Sequence, residues 1–215
     1  MTDKNTQFQQ LISLFHAGVR HSYAKGEFII RPGETPPGIF FIESGLVKIY
    51  DITKFGEENL LIFRKSEDLL AVTWAFTGID QHIIYTAVAP TVVWQIPPEK
   101  FLEFLQKHPR ASLVILEKVV DMYRLHSERI LNLEYRTVRE RLISFLLTTA
   151  ARFGTKVEKG ILIEVPLRHQ DIASSINSSR ETTSREMAYL ERHGLVCDEQ
   201  FCITLLDINK LKNYL

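Results

Sequence analysis

Three charged residues near the carboxyl end of the chain, Arg180, Glu181 and Arg185, can recognise a patterned polar surface. A guanidinium group binds the O6 and N7 atoms of guanine with paired hydrogen bonds, and a carboxylate accepts one from the N4 amine of cytosine. On a helix these three residues would lie together on the exposed first turns. The alternative is a solvated helix face with an i, i+4 ion pair between Glu181 and Arg185.

The residues that precede this cluster predict a short helix and a tight turn. In residues 168–176, RHQDIASSI, the side chains of Ile172, Ala173 and Ile176 have the spacing of one buried helical face. Asn177 follows, and asparagine adopts the left-handed backbone conformation of such a turn more readily than most residues. A helix, a turn of three or four residues and a second helix is an arrangement that places the second helix in the major groove of DNA.

The second helix of this pair has a cap, an inward face and an end. Ser178 or Ser179 caps its first turn, where Glu181 adds favourable negative charge. Gly194 ends the helix. The inward face consists of Met187, Leu190 and Leu195. With this context, base reading by the three charged residues is favoured over a solvated face.

Residues 109–135 predict one long helix, because after Pro109 neither glycine nor proline interrupts them. One apolar stripe, at steps of three, four or seven, consists of Leu113, Leu116, Val120, Tyr123 and Ile130, and an adjacent stripe consists of Ile115, Val119 and Met122. We expect one stripe to pack on the chain's own core and the other to meet a second copy in a parallel homodimer seam. The alternative is that both stripes face the core of one chain.

The first half of the chain has the pattern of short strands. From Tyr23 to about Pro97, clusters of apolar, β-branched and aromatic residues are separated by glycines. This pattern predicts an antiparallel barrel or roll. We therefore expect an α+β chain in three parts: a β-roll domain in residues 1–108, a dimerisation helix and hinge in residues 109–135, and a DNA-binding domain in residues 136–215.

Composition limits the class of protein. The 215 residues are 45% hydrophobic and 24% charged with a net charge of zero, which is typical of a soluble globular protein. DNA binding must therefore depend on locally focused charge. No apolar run reaches the roughly 18 residues of a membrane span, and the polar amino terminus lacks the apolar core of a signal peptide. These features favour a cytoplasmic protein with no membrane partner.

The reactive side chains do not indicate an enzyme or a metal site. The two cysteines, Cys197 and Cys202, flank a short stretch in which they could face each other across a hairpin, and we interpret them as reduced thiols. Two thiols alone cannot supply the four ligands of a typical zinc or iron–sulfur site. We find no nucleophile–base pair, Gly-rich phosphate loop or metal-spaced cluster in the sequence.

Together these stretches resemble the cyclic-AMP receptor protein and fumarate–nitrate reductase regulator (CRP/FNR) family. The resemblance is carried by GEFIIRPGETPPGIFFIESGLVKIY, VVDMYRLHSERILNL and SRETTSREMAYLERHGLV, and it covers nearly the whole chain. It implies a bacterial homodimeric transcription regulator, an activator by this analogy. It also implies a β-roll of the cyclic-nucleotide-binding, jelly-roll type, a dimerisation helix and a C-terminal winged helix-turn-helix.

The resemblance also implies partners and residue roles. Arg180, Glu181 and Arg185 match positions that read bases in a TGTGA-like half-site of an inverted repeat in double-stranded DNA. The positions that match phosphate contacts, which set register and not sequence, are Arg139, His169, Gln170, Ser179 and Thr182. RNA polymerase is an expected partner by family analogy. The charged segments 53–58 and 155–160 are candidates for that contact, and solvated turns are the alternative interpretation.

The effector site departs from the family pattern. Family members that bind cyclic nucleotides carry a Gly-Glu pair and an Arg-Ser or Arg-Ala pair around the ribose and phosphate. The corresponding positions here are Ala71–Val72 and His82–Ile83. The ribose would have no carboxylate, and a histidine that is mostly neutral near pH 7 replaces the arginine. Since burial of a phosphate without a firm cation is costly, binding of cyclic AMP is disfavoured and we predict no cofactor.

The residues that remain at this site are mainly apolar. They are Leu70, Val72, Trp74, Ile83, Ile84 and Tyr85, with Tyr123, His126 and Ser127 from the long helix. We expect them to form a collapsed core in a regulator that acts without cyclic nucleotide. The alternative is an effector-gated sensor with a pocket for an apolar small molecule or haem, for which His82 and His126 are the nearby histidines. An iron–sulfur sensor is disfavoured because no cysteine precedes Cys197.

Overall fold

The computed structural model describes residues 2–79, 82–199 and 202–215, with side chains from residue 6 onward. Within these ranges the chain contains eight helices and twelve strands. They form two compact units, described separately below. The first comprises the residues up to Asp51 together with Leu61–Tyr123, and the second comprises Ile52–Leu60 and Arg124–Leu215. The described helices include none that is long and apolar enough to cross a membrane.

The predicted antiparallel β-roll is confirmed. Its elements, in chain order, are α1 (Thr2–His16), β1 (Val19–Tyr23), β2 (Phe28–Ile30), β3 (Ile39–Ser44), β4 (Leu46–Ile52), β5 (Glu58–Lys65), β6 (Leu69–Leu70), α2 (Val72–Thr77), β7 (Ile84–Ala87), β8 (Thr91–Ile96) and α3 (Pro98–Lys107). The strands form two four-stranded sheets, ordered β1–β8–β3–β6 and β2–β7–β4–β5. In the first sheet, β8 pairs antiparallel with both β1 and β3, and β3 also pairs antiparallel with β6.

Strand β3 explains why this region is so continuously apolar. Successive strand residues face opposite sides of a sheet, and both sides of β3 are buried. Ile39 and Phe41 belong to an apolar cluster with α1 and α3, whereas Phe40 and Ile42 belong to the cluster inside the roll. A strand covered on both faces requires an unbroken run of large apolar residues, which IFFI supplies.

The amino-terminal segment contributes to this core, although the sequence analysis treats it only as polar. It forms α1, and Leu11 and Phe15, one turn apart, are completely buried. They pack in the same cluster as Phe101 of α3. The polar residues of α1 made this two-residue apolar stripe difficult to detect from the pattern alone.

The predicted long helix is α4 (Pro109–Tyr135). Its first half packs on the first unit through Ala111 and Ile115, which are buried in the cluster with α1 and α3. The other stripe stays open to solvent in this single chain, and each of its members is more than half exposed: Leu113, Leu116, Val120, Tyr123 and Ile130. Of the stripe expected to face the core, Ile115 is buried but Val119 is 38% exposed, and the buried face of α4 is completed by Ala111 and Val114. A partner for the exposed stripe remains a prediction.

The second unit contains the remaining elements. They are α5 (Val138–Phe153), β9 (Gly154–Val157), β10 (Gly160–Ile163), α6 (His169–Ser175), α7 (Arg180–Arg192), β11 (Val196–Glu199), β12 (Cys202–Leu205) and α8 (Ile208–Lys212). The sheet order is β11–β12–β10–β9. The charged segment 155–160 lies largely in β9 and in the turn that leads to β10. Gly154 ends α5 in an extended conformation because it pairs with Ile163 as the first residue of β9.

The β11–β12 hairpin corrects one detail of the sequence analysis. Its register places Cys197 opposite Thr204 and Cys202 opposite Glu199. The two cysteines therefore do not face each other directly, and both are free thiols. A two-residue offset in register, which sequence spacing does not reveal, separates them.

Candidate nucleic-acid interface

The turn between α6 and α7 has the predicted backbone. Asn177 has a φ of 50°, in the left-handed region, and Ser178 N–H donates to the carbonyl of Ala173 at 3.0 Å. Arg141 of α5 also holds this turn, since its Nη2 donates to the carbonyl of Asn177 at 3.2 Å and its Nη1 to the carbonyl of Arg136. Sequence spacing does not identify Arg141 in this role, because its contact joins residues 36 positions apart.

The start of α7 is capped by Ser179, which resolves the choice between the two serines. The hydroxyl of Ser179 accepts a hydrogen bond from the backbone N–H of Thr182 at 3.1 Å. Hydrogen bonds from its own backbone N–H and from Ser179 lower the pKa of the Glu181 carboxyl, and Arg180 and Arg185 lower it further. Glu181 is therefore held as a carboxylate, the form that accepts a hydrogen bond from an amine.

The orientation of α7 follows from the side chains that it buries. Thr183, Met187 and Leu190 are completely buried on its inner face. Arg180, Glu181 and Arg185 consequently lie on the exposed part of the helix, over its first two turns. Nη2 of Arg185 donates to the Thr182 hydroxyl at 3.1 Å, which orders that guanidinium on the surface. The structure thus brings the three predicted base-reading residues onto one accessible surface.

The five residues predicted to contact phosphate are placed differently from one another. Gln170 and Ser179 are exposed, and Thr182 is half-buried beside them in the cap of α7. Arg139 and His169 are half-buried and make hydrogen bonds within the chain. Their predicted contacts with phosphate remain predictions.

Arg139 is engaged by two residues of α7. Its Nε donates to Glu186 Oε2 at 2.6 Å, and its guanidinium lies over the ring of Tyr189 at 3.5 Å from the centroid. The hydrogen bond to Glu186 raises the pKa of Arg139. The i, i+3 spacing of Glu186 and Tyr189 is a sequence signal for two side chains on one helical face, but it does not identify Arg139 as their partner.

His169 joins three elements. Its Nδ1 lies 2.8 Å from the hydroxyl of Ser184 on α7, and its Nε2 lies 3.0 Å from Oδ2 of Asp198 on β11. Neither Ser184 nor Asp198 could be assigned this role from the sequence. They lie 15 and 29 positions from His169, so their contact with it depends on the tertiary fold.

Comparison with known families agrees with this geometry. A family model described as the Crp-like helix-turn-helix domain matches residues 140–214, and one described as the cyclic nucleotide-binding domain matches residues 20–108. The chain belongs to the CRP/FNR family of transcription regulators. It is therefore a DNA-binding regulator and not an enzyme.

Curated relatives support membership of the CRP/FNR family, and a solved structure shares the fold. The chain is 29% identical to a global nitrogen regulator of Synechocystis sp. over 88% of this chain and 85% of that protein. It is 26% identical to the transcriptional activator protein anr of Pseudomonas aeruginosa, over 85% and 75% of the two chains. Its fold matches a CooA mutant from Carboxydothermus hydrogenoformans with a TM-score of 0.77 and 23% identity, over 94% of this chain and 89% of that chain.

The residues at the position of the family's nucleotide site pack for the most part against the core of the first unit. Leu70 and Ala71 are buried in the cluster inside the roll, and Trp74, Ile83 and Tyr85 pack against it. Ile84 is buried as well, whereas Val72 packs on the cluster with α1 and α3. Tyr123 is exposed, and His126 and Ser127 belong to the second unit.

The left-handed turn residue of the regulator gives a stability prediction. Replacement of Asn177 by Ala should lower the free energy of unfolding by about 1 kcal/mol, whereas replacement by Gly should leave it unchanged or raise it, because only glycine adopts a positive φ without strain. Denaturant unfolding of both variants measures the difference. Asn213→Ala is the matched control at a φ of −70°, and an equal loss at both positions would contradict the turn geometry.

Proposed function

We propose that the chain is a homodimeric regulator that binds an inverted repeat of TGTGA-like half-sites, with α7 as the recognition helix. The observation that carries this proposal is the joint exposure of Arg180, Glu181 and Arg185 on the first turns of α7. The amino-terminal end of such a helix enters the major groove first. Because its target is chromosomal DNA, we place the regulator in the cytoplasm.

Each of the three side chains fits one kind of base edge. Arg180 and Arg185 present guanidinium groups that match guanine O6 and N7, and the Glu181 carboxylate matches the cytosine N4 amine. Nearby hydroxyl and amide groups are suited to phosphate oxygens, which fix the register of the helix. In this proposal those groups belong to Gln170, Ser179 and Thr182.

The exposed stripe of α4 supports a homodimer. A continuous row of apolar side chains, each more than half exposed, is an interaction surface on a globular protein. Its spacing of three and four residues matches a helix-to-helix seam. A parallel pairing of two copies would cover Leu116 and Val120 and present two recognition helices. The two half-sites should then be centred about 34 Å apart, one turn of DNA.

We propose that DNA binding does not require a cyclic nucleotide. Leu70 is buried in the cluster inside the roll, and Trp74, Ile83 and Tyr85 pack against that cluster. By the family resemblance, Ala71 and His82 stand at positions where nucleotide binders use glycine and arginine. A phosphate placed there would lack a firm cation, which is costly. The regulator would then be active whenever it is present.

One observation favours the alternative of an effector-gated regulator. Ala71 and His82 both have positive φ values, 62° and 54°, and strained backbone of this kind concentrates at binding sites. An apolar molecule or haem would then bind in the roll. Visible absorption of the purified protein and its DNA affinity without added ligand discriminate the two: a haem band, or no specific binding, supports the alternative.

A contact with RNA polymerase belongs to the same proposal. The segments 53–58 and 155–160 are largely exposed, and Phe55 at the first of them has 79% of its surface accessible. Lys54 lies over the Phe55 ring at 5.0 Å. An exposed aromatic ring beside a cation is a suitable anchor for a protein partner.

Base reading by Arg180 is tested by alanine substitution. Selection of bound sequences from random DNA first defines the preferred site. Arg180→Ala should then lower affinity for that site by roughly 1–3 kcal/mol and relax preference at one base pair, because a bidentate guanine contact is lost. Arg192→Ala, at the other end of the same helix, removes the same charge and should leave the preference unchanged. Equal weakening on every sequence would mean that Arg180 contacts phosphate alone.

The dimer seam is tested at Leu116. Leu116→Glu should shift the protein toward monomer in sedimentation velocity and weaken binding to the inverted repeat, because a charge would be buried in an apolar seam. Phe55→Glu is the control, since it places the same charge on an exposed apolar residue outside the stripe. An unchanged dimer in the Leu116 variant would place the seam elsewhere.

A further inference from the structure

We propose that His169 is a positioning residue that fastens the β11–β12 hairpin, here called the wing, to α7 and so fixes the recognition helix for base reading. This inference rests on the proposed function of α7. It assigns to His169 an action on DNA specificity that does not involve contact with phosphate.

The first argument is geometric. His169 is the first residue of α6, and its ring lies between Ser184 on the second turn of α7 and Asp198 on β11. The two contacts measure 2.8 and 3.0 Å. The side chains of His169 and Asp198 are only 29% and 17% exposed. One imidazole therefore bridges α6, α7 and the wing in a partly desolvated place, where such hydrogen bonds are strong.

The second argument concerns the capacity of the ring. An imidazole has two hydrogen-bonding nitrogens, and both are used within the chain, so neither is left for a phosphate oxygen. The carboxylate of Asp198 beside Nε2 would also repel a phosphate. The ring is oriented opposite to that of a hydrolase triad, in which Nε2 faces the serine and Nδ1 the aspartate. This orientation agrees with a structural link.

The third argument is that the wing has a second attachment to α7. The backbone N–H of Asp198 donates to Oε1 of Glu191 at 3.1 Å. Ser184 and Glu191 are seven residues apart, about 10 Å along the helix axis. Two polar attachments separated along α7 restrict rotation of the helix relative to the wing more than either attachment would alone. Loss of the His169 link should therefore make the orientation of the recognition helix relative to the wing less well defined.

Removal of the Asp198 carboxylate should change DNA affinity in the direction opposite to that expected from charge alone. Removal of an acidic residue near DNA ordinarily strengthens binding, because repulsion with phosphate decreases. Asp198→Ala should instead weaken specific binding, because it removes the acceptor of Nε2. Glu199→Ala, the next residue on the same strand and exposed, removes an equal charge without this link. It should leave affinity unchanged or raise it.

Two replacements of His169 separate its two contacts. Gln places an amide near the position of Nε2 and can reach Asp198, whereas Asn places one near Nδ1 and can reach Ser184 alone. We expect His169→Asn to weaken binding to the selected site about tenfold and His169→Gln to stay within about threefold. In the His169→Asn, Asp198→Ala double variant, the loss of affinity for the selected site should not exceed that of the weaker-binding single variant, since both substitutions remove the same hydrogen bond.

The measurements are dissociation constants of the full-length protein on the selected site and on unrelated DNA, over a series of salt concentrations, with thermal unfolding of every variant. Loss of the link should lower the ratio of specific to non-specific affinity and leave the salt slope unchanged. The ratio is compared at equal concentrations of folded protein, so partial unfolding does not imitate the effect. Ser184→Ala provides a further variant that removes the Nδ1 contact.

Two outcomes would overturn the inference. If both His169 variants weaken binding equally on all DNA, and Asp198→Ala strengthens binding as Glu199→Ala does, then His169 contacts phosphate. If the His169 and Asp198 variants change nothing while Arg180→Ala relaxes specificity, the link is unimportant and the proposed function stands. Unchanged specificity in Arg180→Ala would instead contradict the proposed function itself.

Discussion

The recognition surface depends on the burial of one face of α7. Thr183, Met187 and Leu190 have no exposed surface, and rotation of the helix about its axis would bring at least one of them into water. Burial of a large aliphatic side chain is worth about 1.5–3 kcal/mol, so that rotation is costly. The charged residues at the start of the helix are exposed because the apolar residues further along it are not. The capping serine and the left-handed asparagine then fix where the helix begins.

The sequence was sufficient to predict the elements whose determinants are local. The turn at Asn177, the cap at Ser179, and Met187 and Leu190 of the inward face follow from residue type and local spacing, and all are present. Leu195, predicted on that face, is buried but lies beyond the end of α7 at Arg192. The long helix and the roll were predicted for the same reason, since an uninterrupted apolar period and glycine-separated apolar clusters are local signals. The extent of β9 could not be predicted in this way, because it depends on pairing with β10.

Contacts between distant residues could not be predicted in this way. Arg139 with Glu186 joins residues 47 positions apart, and His169 with Asp198 joins residues 29 positions apart. A polar residue on a helix has the same local pattern whether it faces solvent, a phosphate or a carboxylate of its own chain. Only the tertiary arrangement distinguishes these cases. For Arg139 and His169, whose phosphate contacts remain predictions, it shows hydrogen bonds within the chain.

The stacking of Arg139 on Tyr189 has a consequence for how a signal could reach the DNA. Arg139 is the second residue of α5, and its partners, Glu186 and Tyr189, lie at the midpoint and in the second half of α7. The guanidinium is held both by a carboxylate and by an aromatic ring of α7. A displacement of the first turn of α5 would therefore be transmitted to α7 through these two contacts. In that case α5 and α7 would move together, and a signal that displaces α5 would change the orientation of all three base-reading side chains at the same time.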